Sequence, residues 1–196
     1  HHNPKVWNDE RFDHRHDWRI PLNGHTDLND SSGSSENTKA WGELRNLMAG
    51  TTAMAGSGGA DGLLRNVDQN FVNTEGLGGI DVYYETFPLD DGGGTLRETG
   101  CNYGSNADTV SVLKNDCYLP HVSEGITKAA RNEFLCLSGA AGGVNLTKAN
   151  SAFIHSIGLT AEDGETLAVN STAVIWSPRT NISLYGHTAQ VTMFSN

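Results

Sequence analysis

Three strand-like segments in the second half of the chain end in groups able to do chemistry. Cys117–Val122 runs into His121-Val122-Ser123-Glu124, Ser151–Ile157 carries His155, and Thr172–Trp176 leads into Ser177-Pro178-Arg179-Thr180-Asn181. A histidine late in an apolar strand costs desolvation unless a partner takes its ring nitrogens. A backbone carbonyl in an ordinary core is one such partner; a metal ion is another. With His121 and Glu124 at the preceding strand end, the metal reading of His155 takes precedence. His121 can hold a metal through one nitrogen. Glu124, three residues on and past the strand end, can take a proton from metal-activated water and hand it to a leaving group. The same carboxylate also suits the N-terminus of a helix that begins near Ile126.

These groups need a frame that brings strand ends together. Ile126 to Leu137 has helical spacing, with Ile126, Ala129, Ala130, Phe134 and Leu137 on or near one face and Gly139 as terminator. Thr160 can cap a helix over Ala161–Ala168, with Asp163 as its capping-box partner. A strand–helix–strand–helix–strand order with short connections predicts a parallel sheet with covering helices. In a parallel barrel all strand C-termini share one face, where catalytic groups gather. The first half is less regular. Trp41, Leu44, Leu47 and Met48 predict a short amphipathic helix ending at Gly50, Thr51–Ala55 a short strand, and Gly79–Pro88 another. Residues 1–37 are polar and carry no clear period, yet hold five of the eight histidines; Ser31–Ser35 reads as a loop tip.

Composition narrows the function classes. The chain has 196 residues, enough for one large domain or two small ones, and a formal charge of −10, which argues against binding nucleic acid through a basic surface. No run of 18 apolar residues offers a membrane span. The 23 glycines follow no Gly-X-Y period and indicate tight turns. Cys101, Cys117 and Cys136 lack the spacing of a zinc motif or redox pair. They read either as three buried thiols or as one disulfide with a thiol left over, Cys101–Cys117 being the nearest pair. Sequons begin at Asn29, Asn145, Asn170 and Asn181 and would be glycan acceptors in a secreted eukaryotic chain. The balance leans to a secreted or periplasmic setting over a cytoplasmic one. Gly56-Ser57-Gly58-Gly59 could bind an anion through backbone N–H groups, but it lacks the Lys-Ser/Thr of a P-loop and the Gly-x-Ser-x-Gly spacing of a nucleophile elbow.

The strings His121-Val122-Ser123-Glu124-Gly125, Phe153-Ile154-His155-Ser156-Ile157-Gly158-Leu159 and Trp176-Ser177-Pro178-Arg179-Thr180-Asn181 resemble the amidohydrolase superfamily, in its cytosine deaminase, guanine deaminase and chlorohydrolase-like branch. The resemblance covers about residues 117–190 and is looser over 1–116, where Asp13–Trp18 and Trp41–Arg45 carry it. It implies an α/β fold, a (β/α)8 TIM barrel. It further implies one divalent metal, zinc first and iron second, held by His121 and His155. Glu124 would be the proton shuttle, and Arg179 and Asn181 would line a pocket for a small-molecule substrate. The reaction implied is hydrolysis of a C–N bond in a cyclic amide, amidine or amino-heterocycle; the alternative is a catalytically silent barrel piece serving binding or assembly.

Two departures qualify the resemblance. The strand-eight Asp has no counterpart before Asn196, and no apolar strand precedes His14-x-His16, which reads as an active-site loop element or surface histidines rather than the strand-one ligand pair. Such barrels take roughly 250 residues. The expectation is therefore a single, incomplete barrel domain over 1–196, about strands two to seven, with 1–37 as a long loop region on the active-site side and another chain or missing segments completing the barrel. His187 is expected at the surface beside the presumed pocket.

Overall fold

A computed structural model describes residues 9–28, 35–56, 59–68, 75–77, 80–104 and 108–194. The sequon at Asn29, most of the Ser31–Ser35 tip, and Ser57 and Gly58 of the glycine-rich run lie outside the described residues. The architecture is α/β with two parallel sheets. A small one pairs β1 (Ala53–Met54) with β2 (Arg65–Asn66); the larger contains β3 (Val82–Glu85), β4 (Cys117–Val122), β5 (Ala152–His155) and β6 (Ala173–Ile175) in the order β3-β4-β5-β6. The helices are α1 (Arg15–Arg19), α2 (Glu36–Met48), α3 (Thr109–Leu113), α4 (Lys128–Leu137), α5 (Ala161–Val169), α6 (Pro178–Tyr185) and α7 (Val191–Phe194). None of them is long and apolar enough to cross a membrane.

Local chemistry explains the second half. Thr127 caps α4 by accepting from Ala130 N at 3.1 Å, and Gly139 follows the helix at φ 79°, a left-handed position that glycine fills without strain. Asp163 Oδ2 accepts from Thr160 N at 2.9 Å at the start of α5, the expected capping box. Helices α4 and α5 lie on one side of the larger sheet. Tyr118, Val122 and Phe153 from the strands pack there with Phe134, Leu137, Leu159 and Leu167. The other side is barer: Tyr84, Leu119 and Ile154 are only half-buried and Ile175 is exposed.

Several expectations are corrected. Ile126 lies ahead of α4 and is exposed. The helix expected around Trp41–Met48 exists, but its apolar stripe faces solvent, with Trp41 at 61% exposure. Its buried residue is Glu43, whose carboxylate accepts from Ala60 N at 2.7 Å and Leu64 N at 3.0 Å, so a polar anchor sets the helix's orientation. The disulfide joins Cys101 to Cys136, 5.5 Å apart at Cα, and Cys117 is a free thiol on β4. Proximity in sequence misleads here because α4 carries Cys136 to Cys101 while Cys117 is fixed in the sheet. His14 and His16 are buried, not surface residues, because Glu133 and Asp91 take their rings. Asn181 is fully buried and cannot carry a glycan, whereas Asn145 is exposed.

Candidate metal centre

Parallel pairing of β4 with β5, His121 opposite Ile154 and Val122 opposite His155, brings the two histidine-bearing strand ends side by side. Strict alternation would turn His155 to the helix-covered side with Phe153. Instead His155 and Ser156 adopt left-handed backbone at φ 72° and 53°, and the His155 ring swings to within 4.8 Å of the His121 ring, centroid to centroid. Ser123, after β4, is left-handed too at φ 55°. Non-glycine residues in this region cost about 1–3 kcal/mol each and persist only where the surroundings hold them. Here Ser156 N donates to Val122 O at 3.0 Å and Ile157 N to Ser123 O at 3.0 Å, stitching the two exit loops together.

Three side chains converge. His155 Nε2 lies 3.2 Å from His121 Nδ1 and 3.4 Å from Glu124 Oε2, and His121 Nδ1 lies 3.6 Å from the same oxygen. Ligands at zinc-like bond lengths in a tetrahedron sit about 3.3–3.4 Å from one another. The two imidazole nitrogens, 3.2 Å apart, are thus close to the spacing of two ligands on one ion, with the Glu124 oxygen beside both. Among the described residues this is the group of histidines and carboxylates that can hold a metal ion, and all three members are buried.

Each member is held from behind. Asn181 Oδ1 meets His155 Nδ1 at 2.7 Å. A carbonyl oxygen only accepts, so Nδ1 carries the proton and Nε2 keeps its lone pair toward the cluster. Tyr84 stands edge-on to His121 at 5.6 Å. Tyr185 donates to Glu124 Oε1 at 2.9 Å, and Trp18 Nε1 donates to the Tyr185 hydroxyl at 2.9 Å. The backbone of α1 is bolted to the β4 exit loop: Arg15 N donates to Glu124 O at 3.0 Å and Ile126 N to Asp13 O at 2.8 Å.

Beneath the cluster lies a buried charge network. Arg15 meets Asp91 at 2.6 Å and Glu133 at 3.2 Å, His14 meets Glu133 at 3.0 Å, and His16 meets Asp91 at 2.9 Å. Glu133 Oε2 also accepts from Ser123 N at 3.0 Å, which ties the network to the strained loop. Burial alone would raise the Glu124 carboxyl, but the His155 and His121 rings and the Arg15 charge reverse this and hold it well below the usual carboxylate range. Glu124 is thus ionised at neutral pH. Burial pushes His155 below the ordinary imidazole value despite Glu124, which favours the neutral, ligating form. Burial likewise raises the Tyr185 phenol, keeping it a donor.

Of the residues singled out in the sequence, His121, Glu124 and His155 are brought together. Asn181 is buried behind His155 as its hydrogen-bond partner, while Arg179, two residues earlier on α6, is exposed. His187 is exposed as expected, and His25 pairs with Glu10 at 2.8 Å. Sequence reasoning missed Tyr185, Trp18, Arg15, Asp91 and Glu133. A signal for α6 was present: Ser177 before Pro178 marks a helix start, and Gly186, at φ 67°, its end. Nothing local pointed Asp91 or Glu133 at Arg15. No protein-family model, curated protein or solved structure matches the chain.

Proposed function

We propose that this chain forms the metal-binding rim of a hydrolase that cleaves C–N bonds in cyclic amides, amidines or amino-heterocycles. His121 and His155 hold one divalent ion, zinc in the first instance, and Glu124 moves protons. The observation that carries the reading is the close triangle of His155 Nε2, His121 Nδ1 and Glu124 Oε2 at the ends of adjacent parallel strands. When bound, such an ion supplies Lewis acidity, polarising the substrate and lowering the pKa of a water toward neutrality. Asn181 keeps Nε2 of His155 available to it. Glu124, ionised, accepts a proton at Oε2 and delivers it to the leaving nitrogen. Burial of all three groups limits competing water and strengthens their mutual electrostatics.

The sheet supports a (β/α)8 barrel. Its four strands are parallel and in chain order, with α4 and α5 on the same side. Doubly wound sheets reverse strand order and carry helices on both sides, whereas a barrel wall does neither. The half-exposed opposite side, bearing Tyr84, Leu119 and Ile154, is the side a closed barrel would fill.

The test is metal uptake followed by activity. Equilibration with Zn²⁺ and desalting should leave one equivalent in the wild type, and His121→Ala or His155→Ala should lose it. The loaded protein should release ammonia or open a ring within a panel of cyclic C–N compounds. A folded wild type that retains no ion overturns the reading in favour of a silent binding or assembly role.

A further inference from the structure

Asn181 and Tyr185 stand four residues apart on α6 and therefore on one face of it. Asn181 reaches His155 Nδ1 at 2.7 Å and Tyr185 reaches Glu124 Oε1 at 2.9 Å. The two residues are fully buried or nearly so, at 0% and 2% exposure. We infer that α6 is a positioning clamp: one helix face sets both the tautomer of His155 and the orientation of the Glu124 carboxylate. As a device serving a metal-dependent site, the clamp rests on the proposed function.

Donor and acceptor chemistry makes the clamp directional. Trp18 Nε1 can only donate, so it occupies a lone pair of the Tyr185 hydroxyl and leaves that group's one proton for Glu124. The carboxylate only accepts. With Oε1 taken by Tyr185, Oε2 is the oxygen turned to the two imidazoles. Asn181 is steered in the same sense, its Nδ2 directed at Thr188 Oγ1 at 3.5 Å and its Oδ1 left for His155.

The helix is itself fixed. Leu184 O accepts from Phe12 N at 2.9 Å, and Tyr185 packs in a cluster with Phe12, Trp18, Leu28 and Ile157. A side chain held on such a support keeps a catalytic geometry that solvent-exposed groups would lose.

The experiment reads the two contacts without requiring an ion. In ¹³C,¹⁵N-labelled protein, the Glu124 carboxyl resonance is assigned by its loss in Glu124→Gln, and the His155 ring nitrogens by their loss in His155→Gln. Tyr185→Phe should move the Glu124 carboxyl resonance while near-UV circular dichroism remains native. Asn181→Leu should convert His155 from a single Nδ1–H tautomer to a mixture, and Asn181→Asp, which keeps an acceptor, should restore it. Should Tyr185→Phe unfold, the wild type carries the test: the Tyr185 hydroxyl proton, held between a buried phenol and a carboxylate, should exchange slowly with solvent and correlate with the Glu124 carboxyl carbon. An unmoved Glu124 resonance in the folded Tyr185→Phe protein, or the absence of that correlation in the wild type, overturns the clamp. So does an unchanged His155 tautomer in Asn181→Leu. Zn²⁺ retention by the wild type is scored separately, so loss of the metal reading and loss of the clamp give different results.

Discussion

The Arg15 guanidinium meets the Asp91 carboxylate at 2.6 Å, and neither side chain reaches solvent. Arg15 also contacts Glu133 on α4 and donates to Thr86 O at 2.8 Å beyond the end of β3. One side chain thus joins the N-terminal segment, the loop after β3 and the main helix. Its burial is offset only while all its partners stay in place.

Removing one partner should cost far more than a surface charge. Asp91→Ala leaves a buried guanidinium facing one carboxylate fewer, and the expected loss is about 3–5 kcal/mol. Urea denaturation followed by circular dichroism measures it. A loss below ~1 kcal/mol, the range of exposed pairs, would show that the network is solvated in solution.

Stability should fall in two acid steps. Burial holds His16 below the ordinary imidazole value despite its bond to Asp91, so folded His16 stays neutral where the unfolded residue protonates. Stability is then complete above about pH 6.5 and declines as pH falls through that value. Burial opposes ionisation of Asp91, but His16 and Arg15 outweigh it and bring the carboxyl down to about 2. Its contribution, on the order of 2 kcal/mol, is present above about pH 4 and lost as pH falls toward the folded value. Urea midpoints between pH 8 and pH 2 trace both steps, and His16→Gln should shrink the first, leaving the share that buried His155 contributes in the same way.

Glu124→Gln separates proton transfer from ion binding. The amide keeps the shape and can still accept from Tyr185, but it cannot take a proton from water. Turnover should drop by about 10²–10⁴-fold, with metal content by atomic spectroscopy close to wild type. Loss of the ion instead would make Glu124 a ligand.

The Cys101–Cys136 bridge closes a loop with a sequence separation of 35. Cys136→Ser should destabilise by about 2–4 kcal/mol, chiefly by freeing the unfolded chain. The bridge also links the segment after Asp91 to the helix that carries Glu133. Reductant in a thermal melt should lower the wild-type midpoint and leave that of Cys136→Ser unchanged.

Gly125 is the contact on which α1 sits. An added Cβ there would lie 2.5 Å from Asp13 O and 2.9 Å from His14 Cα. Gly125→Ala should push the N-terminal segment off the β4 exit loop at a cost of about 1–3 kcal/mol. Faster hydrogen exchange at Arg15 N and Ile126 N, both bonded across this contact, reports the displacement.

Local pattern carried much of the second half. The apolar runs at Cys117–Val122 and Ala152–His155 have strand length and β-branched or aromatic content, and the capping box of Thr160 with Asp163 is short-range chemistry. His121, Glu124 and His155 were legible for the same reason: each lies at or just past a strand end, and parallel strands align their ends. Helix α2 shows the limit of periodicity, since spacing predicts a helix but not which face Glu43 will anchor. The partners lay out of reach. Asp91 and Glu133 stand 76 and 118 positions from Arg15 in the chain, and Tyr185 stands 61 from Glu124. A carboxylate or phenol carries no mark of its partner until packing removes water from both, and only the folded chain decided which pairs those would be.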